Sequence, residues 1–185
     1  MEKKYSTAEL VKAAVFAALT FIATFAIKLQ TPTFGYIHIG DSFVLLCGFI
    51  LGGPLGALAA GIGSGLSDLI AGYAIWIPGT FIIKFLTALV AFYAFAALSK
   101  LFGQTKKYPA GLLVVSGLAG ELVMVAGYFL YNIIVIALTV GGFSGAALAS
   151  AITESAAEIP FNIVQGTVGI VLSTALYPLI KKVSK

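Results

Sequence analysis

The sequence has 185 residues, of which 60% are hydrophobic and only 10% charged, with a formal net charge of +4 and a mean hydropathy of +1.06. A soluble domain carries roughly 25% charged residues, so this composition excludes an ordinary soluble domain, a disordered chain and a coiled coil. The sequence is typical of an integral membrane protein. No polar stretch is long enough to link a second domain, so residues 1–185 are expected to form a single transmembrane domain.

The basic residues do not indicate a nucleic-acid partner. All eleven are Lys, and nine of them are split among the chain ends and one internal loop, whereas nucleic-acid-binding proteins cluster basic residues, usually with Arg. One His and one Cys exclude a zinc site of the usual His/Cys type. Because no catalytic motif is recognisable either, we expect no metal, no cofactor and no enzymatic activity.

Crossing a bilayer takes about 20 mostly apolar residues in a helix. Six apolar segments are predicted to be transmembrane helices, at 10–29, 41–51, 55–71, 78–101, 109–140 and 151–179. The segment 41–51 is too short to cross as a straight helix, so it is tilted, sheltered by its neighbours or partly re-entrant. The Gly-Gly-Pro sequence at 52–54 predicts a tight turn after it.

The lysines predict the orientation of the chain. Nine of the eleven lie before or at the start of the first segment, between the fourth and fifth, or after the sixth. With six spans these three places share one side, which the positive-inside rule makes cytoplasmic. Both termini are therefore predicted to be cytoplasmic, and the first segment is predicted to be retained rather than cleaved as a signal peptide. Residues 30–40, 72–77 and 141–150 then face outside, the last as a small, flexible loop.

Ionisable residues inside a membrane span are costly, which makes each of them a candidate for function. On the fifth and sixth segments, polar side chains recur every three or four residues and so share one helix face. They are Glu121, Tyr128 and Asn132 on the fifth, and Glu154, Glu158, Asn162 and Gln165 on the sixth. Together with Lys84 of the fourth segment, these stripes converge at one level beneath residues 30–40. We expect an outward-facing pocket there, suited to a small polar heteroaromatic molecule stacked on tyrosine or tryptophan.

Several of these residues also have a purely structural interpretation. Lys84 either contacts a ligand or neutralises Glu121 or Glu158. Asp41 either caps the second helix or contributes to binding. Asp68, near the end of the third segment, is either a functional candidate or only a surface charge.

The same choice applies to the other polar and aromatic candidates. Asn132 and Asn162 either orient a ligand or join helices by hydrogen bonds. His38 is either a hydrogen-bonding loop residue or part of the site, and Glu154 is either in the pocket or at the surface. Tyr73 and Trp76 are either pocket walls or members of the interfacial aromatic belt.

Small residues indicate close helix packing. The GIGSG sequence at 61–65 lies inside an apolar span, which favours helix packing over a nucleotide-binding loop. The first segment contains AxxxA twice, through Ala13 and Ala17 and through Ala14 and Ala18. Such a flat ridge fits either a partner helix or packing within the chain.

Four short motifs accompany the six-segment plan: YxHxGD at 36–41, GGPxGA at 52–57, PGTFIIK at 78–84 and EIPFN at 158–162. With the Ala-rich first segment, they make the chain resemble the S components, the substrate-binding subunits of energy-coupling factor (ECF) vitamin transporters. The resemblance covers nearly the whole chain. It is closest to the branch that handles hydroxymethylpyrimidine, pyridoxine and related thiamine or B6 precursors.

The resemblance implies a six-helix subunit of a prokaryotic plasma membrane that binds a vitamin in its outer half, under a lid formed by the first loop. It implies docking through the AxxxA ridge to a transmembrane coupling subunit that works with two cytoplasmic ATPase subunits. The chain itself has no P-loop. The residues expected to bind substrate are Tyr36, His38, Asp41, Trp76, Lys84, Glu121, Tyr128, Asn132, Glu158 and Asn162.

Two other functions remain open at this point. A self-sufficient proton-coupled carrier could use Glu121, Glu154 and Glu158 as a proton relay. A structural or assembly subunit would bind no ligand, and Lys84 would then be sealed against a glutamate.

Overall fold

The computed structural model describes residues 5–31, 36–102, 110–140 and 142–183. These residues form six helices and a two-stranded antiparallel sheet. In chain order the elements are α1 (Thr7–Ala26), β1 (Lys28–Gln30), β2 (Tyr36–His38), α2 (Asp41–Leu46, continued by a π-helical turn, Cys47–Leu51), α3 (Gly53–Ala71), a 3₁₀ turn (Ala74–Trp76), α4 (Ile77–Phe102), α5 (Ala110–Thr139) and α6 (Gly145–Val183). All the helices except α2 are long and apolar enough to cross a membrane, so the all-α membrane fold predicted from the sequence is confirmed.

The first helix has the predicted length but lies three residues nearer the N-terminus than predicted. It starts with a capping box, in which Ser6 and Glu9 satisfy each other's backbone N–H groups, and it ends at Ala26 rather than at residue 29. The next residues form β1, and Lys28 pairs with His38 at one end of the ladder with β2. Hydropathy did not reveal this hairpin because its strands have only three residues each, too few for an alternating pattern to be recognised.

The short α2 is sheltered by its neighbours. Val44, Leu45, Leu46 and Cys47 are fully buried, and α2 with its π-helical turn packs against α1, α3, α4 and α6. A segment without lipid contact does not need the length of a free transmembrane helix. Gly52, with a φ of 69°, then turns the chain into α3.

Glycines allow the helices to approach closely. A Cβ added at Gly48 would clash with the Ala88 carbonyl of α4, and one added at Gly63 would clash with the Ala17 carbonyl of α1. The packing role predicted for the glycines at 61–65 is therefore confirmed. Ala13 faces the interior of the bundle and Ala17 is half-buried, whereas Ala14 is exposed.

Helix α6 begins earlier than predicted, so the expectation of a flexible loop over residues 141–150 is wrong for its second half. Residues 145–150 are helical, and the Ser144 hydroxyl accepts a hydrogen bond from the Ala147 N–H at the start of the helix. Alanine is the strongest helix former, and Ser is a favoured N-cap. Residue 141 lies outside the described residues.

Successive helices run in opposite directions. As a result, the C-terminal ends of α1, α3 and α5 lie at the same end of the bundle as the N-terminal ends of α2, α4 and α6. Bonds between distant residues gather at this end, including those from Tyr36 to Asp68 and from Thr31 to Glu158. The first and last described residues lie at the opposite end. Which end is cytoplasmic stays a prediction from the lysines, five of which (residues 3, 4, 106, 107 and 185) lie outside the described residues.

Candidate functional site

A cavity lies inside the end of the bundle where the hairpin is. It contains about 740 Å³ of empty space, part of it open to solvent. Every long helix contributes to its wall. The lining residues are Thr24, Tyr36, His38, Asp68, Tyr73, Trp76, Thr80, Tyr128, Asn132, Ile136, Glu154, Glu158, Asn162 and Gln165.

Aromatic rings form one part of the wall. The centroids of the Tyr36 and Tyr73 rings are 5.4 Å apart, and Trp76 lies 5.8 Å from the ring of Tyr131. The Tyr131 hydroxyl donates to the Ile75 carbonyl, which fastens the 3₁₀ turn to α5. Together with Tyr128, these rings offer flat apolar surfaces on which a planar ligand can stack.

Amide and carboxylate side chains of α5 and α6 form another part of the cavity wall. Asn132 projects from α5, and the residues from α6 follow one another at helical spacing: Glu154, Glu158, Asn162 and Gln165. Asn132 is 8% exposed, and its Oδ1 has no hydrogen-bond partner within the described ranges. Since a buried polar atom without a partner is costly, a ligand with an N–H or O–H group could stabilise this site.

The hairpin covers the cavity and is fastened to two helices. The Tyr36 hydroxyl donates to Asp68 Oδ1 at 2.7 Å, and the Thr31 hydroxyl donates to Glu158 Oε1 at 2.8 Å. The His38 N–H donates to Gln165 Oε1 at 3.1 Å. Two of the acceptor residues belong to α6, so the hairpin and the polar wall of the cavity are positioned together.

Tyr36 and His38 of the hairpin remain uncharged. Burial, reinforced by the negative charge of Asp68, raises the pKa of the Tyr36 hydroxyl, which therefore keeps its proton and donates. Burial lowers the pKa of His38 to about 3. Its Nδ1 accepts a hydrogen bond from the Gly40 N–H, so the neutral ring carries its proton on Nε2. The interpretation of His38 as a hydrogen-bonding loop residue fits this geometry, and the residue also lines the cavity.

An ion pair lies beneath the cavity. The Lys84 ammonium contacts Asp41 Oδ1 at 2.5 Å, and neither side chain has exposed surface. Gln165 Nε2 donates to the other carboxylate oxygen at 2.7 Å. Gln165 thus joins the pair to β2, because its Oε1 accepts from His38.

This ion pair corrects two expectations from the sequence. The partner of Lys84 is Asp41, not Glu121 or Glu158. Asp41 is the first residue of α2 but does not cap it: the N-cap position is Gly40, and the Asp41 carboxylate is bound to Lys84 and Gln165. Spacing within single helices could not predict this contact between α2 and α4.

Glu121 was expected to bind substrate but lies in the interior of the bundle, away from the cavity. Its side chain is 4% exposed and packs against Gly166 of α6, and it is absent from the cavity wall. Both of its carboxyl oxygens lack a hydrogen-bond partner in the described part of the chain.

Seven of the ten residues expected to bind substrate therefore line the cavity, and Asp41, Lys84 and Glu121 lie outside its wall. Asp68 is buried rather than a surface charge. Sequence analysis did not single out Thr24, Thr80 and Ile136. Thr24 lies in the last turn of α1 and Thr80 in the first turn of α4. These two turns lie at the same end of the bundle, and a polar residue at that end of each span is the signal that could have identified them.

The described ranges contain no group of three or more His, Cys, Asp or Glu side chains arranged to hold a metal ion.

The model of one protein family, "ECF-type riboflavin transporter, S component", matches residues 4–182. The chain belongs to this family. The ECF resemblance seen in the sequence is thereby confirmed, and the family is one of transporter substrate-binding components rather than enzymes. The hydroxymethylpyrimidine and pyridoxine branch stays a prediction.

Two individual proteins are similar to this S component. An uncharacterized protein of Pyrococcus woesei, described as lying in a gap 3′ region, is 29% identical over 162 residues, which cover 87% of this chain and 93% of that protein. A solved structure titled "Structure and mechanism of the S component of a bacterial ECF transporter" matches with a TM-score of 0.63 and 19% identity over 96% of this chain and 97% of that one. The second match shows a shared fold.

The buried ion pair gives a testable prediction about stability. Lys84→Met or Asp41→Asn alone leaves an uncompensated polar or charged group in the bundle, and each is expected to lower the free energy of unfolding by about 3–5 kcal/mol. The double variant should lose clearly less than the sum of the two. Unfolding of the purified protein in detergent measures this, with the exposed Lys100→Met as control. Strictly additive losses would contradict the pairing.

Proposed function

We propose that this S component binds riboflavin, or a related heteroaromatic vitamin, in the cavity beneath the hairpin and passes it to an ECF coupling subunit driven by two ATPase subunits. The family match supports the transporter role. The observation that supports this class of ligand is the cavity wall, which has aromatic rings in one part and buried amides in another. Such a lining favours a flat ring with N–H and C=O groups on its edge.

The chemistry of the wall suits the flavin ring. An isoalloxazine ring has a large apolar face, for which Tyr36, Trp76 and Tyr128 offer stacking surfaces. Its edge carries one N–H donor and several acceptors. Amide side chains such as those of Asn132 and Asn162 can accept from this N–H group and donate to these acceptors.

Smaller vitamins are the competing ligands. Glu158 and the amides of α6 could equally hold the amino group and ring nitrogens of hydroxymethylpyrimidine, or the hydroxyls of pyridoxine. This is the ligand class that the sequence motifs favoured. Riboflavin takes precedence because the matching family model describes riboflavin transporters.

The orientation follows from the lysines and the cavity together. If both termini are cytoplasmic, as the positive-inside rule predicts, the cavity opens in the outer half of the membrane. Ligand then enters from outside, which is the direction that an importer requires.

The exposed half of the alanine ridge is our candidate for docking. Ala13 is buried and Ala17 packs against α3, where Gly63 approaches its carbonyl. Ala14 and Ala18 are exposed on the other side of the ridge. This pair is therefore free to contact a helix of the coupling subunit, and small residues four apart allow such helices to approach closely.

The binding proposal is tested by titrating the purified protein with riboflavin, hydroxymethylpyrimidine and pyridoxine. We expect saturable 1:1 binding of riboflavin, and about tenfold weaker binding by Asn132→Leu, since one hydrogen bond to the ligand is lost. Ile134→Leu, on the exposed face of the same helix, is the matched control. Binding of none of the three vitamins, or full affinity in Asn132→Leu, would count against the proposal.

The docking proposal is tested by vitamin uptake in cells that also express an ECF coupling module. Ala14→Trp and Ala18→Trp should abolish most uptake while the purified variants bind ligand normally, because the bulky ring separates the two helices. Ala126→Trp, at an exposed alanine of α5, should leave uptake intact. Wild-type uptake by both ridge variants would contradict docking at this surface.

A further inference from the structure

We propose that the cavity admits uncharged and cationic vitamins and rejects their phosphate esters. This inference rests on the proposed function and specifies its substrate class. It is carried by three carboxylates in the wall, here called the acidic set: Asp68 of α3 and Glu154 and Glu158 of α6.

Each member of the acidic set accepts a hydrogen bond from an uncharged hydroxyl group. Asp68 accepts from the Tyr36 hydroxyl at 2.7 Å, Glu158 accepts from the Thr31 hydroxyl at 2.8 Å, and Glu154 accepts from the Ser150 hydroxyl at 2.9 Å. Hydroxyl donors orient a carboxylate without cancelling its charge. Asp68 and Glu158 are also 4% and 7% exposed, so water screens them little.

No lysine appears in the described wall, and the ring of His38 there is neutral. The interior lysine, Lys84, is already bound to Asp41. The other lysine near the cavity is Lys28 of the hairpin, which is not itself a lining residue. Its ammonium lies 4.5 Å from the centre of the Phe25 ring and 4.7 Å from that of Tyr36, a wall residue. A phosphate would thus enter a cavity with three carboxylates and no lysine among its described lining residues.

The remaining lining favours ligands that donate hydrogen bonds. The buried Oδ1 of Asn132 lacks a partner among the described residues, and the carboxylate oxygens are further acceptors. A ring N–H, an amino group or a hydroxyl can satisfy these atoms, whereas a phosphate dianion brings only more acceptors. A cationic ring would gain from the acidic set, because charge-assisted bonds to carboxylates are stronger than neutral ones.

The test compares each vitamin with its own phosphate ester: riboflavin with riboflavin 5′-phosphate, pyridoxine with pyridoxine 5′-phosphate, and thiamine with thiamine monophosphate. For whichever vitamin binds, we expect its ester to bind at least about 100-fold more weakly, since like charges brought together in a desolvated site are strongly disfavoured. Calorimetry or fluorescence titration of the purified wild-type protein measures the ratio.

Charge-neutral variants identify the cause of that ratio. Glu154→Gln and Glu158→Gln preserve shape, and their double variant should narrow the gap between vitamin and ester to about tenfold or less. Glu9→Gln is the matched control: it lies at the far end of α1, in a capping box that accepts Gln equally well, and should leave the ratio unchanged.

The outcomes separate this inference from the proposed function. An ester that binds within about threefold of its vitamin, or a ratio that the double variant does not change, overturns the charge selection while vitamin binding stands. Failure of all six compounds to bind overturns the proposed function, and this inference falls with it.

Discussion

Lys84 of α4 and Asp41 of α2 place two opposite charges in the middle of an apolar helical bundle, with no exposed surface on either side chain. Charges are tolerated there only when they are paired and hydrogen-bonded, so α2 has one acceptable position relative to α4. Gln165 extends the constraint to α6 through its bond to Asp41 and to the hairpin through His38. The floor, one wall and the cover of the cavity therefore depend on a single polar network.

That network explains why the cavity is polar yet well defined. Gln165 is a lining residue whose two amide ends are both engaged by protein, so it orients its neighbours on α6 rather than adapting to each ligand. The hairpin is held by side chains that also face the cavity, Glu158 and Asp68 among them. A ligand that rearranges these side chains would also alter the attachment of the hairpin.

Much of the site could be predicted because membrane helices make polar residues conspicuous. The stripes on the fifth and sixth segments correctly brought Tyr128, Asn132, Glu158 and Asn162 together. The Lys84–Asp41 pair and the interior position of Glu121 could not be predicted, because they depend on the rotation and depth of α2, which is too short and too buried to have an amphipathic pattern. The hairpin was missed since three-residue strands show no period. The helical start of α6 was missed because its small residues resemble a loop.

The central claim, that this S component holds a heteroaromatic vitamin in the cavity, is tested most directly by native mass spectrometry of protein purified gently from cells grown in rich medium. The account predicts a 1:1 complex with an added mass equal to that of riboflavin or of a pyrimidine or pyridine vitamin, released when the protein unfolds. A protein without any bound small molecule, and not stabilised by any vitamin in a panel, would contradict it.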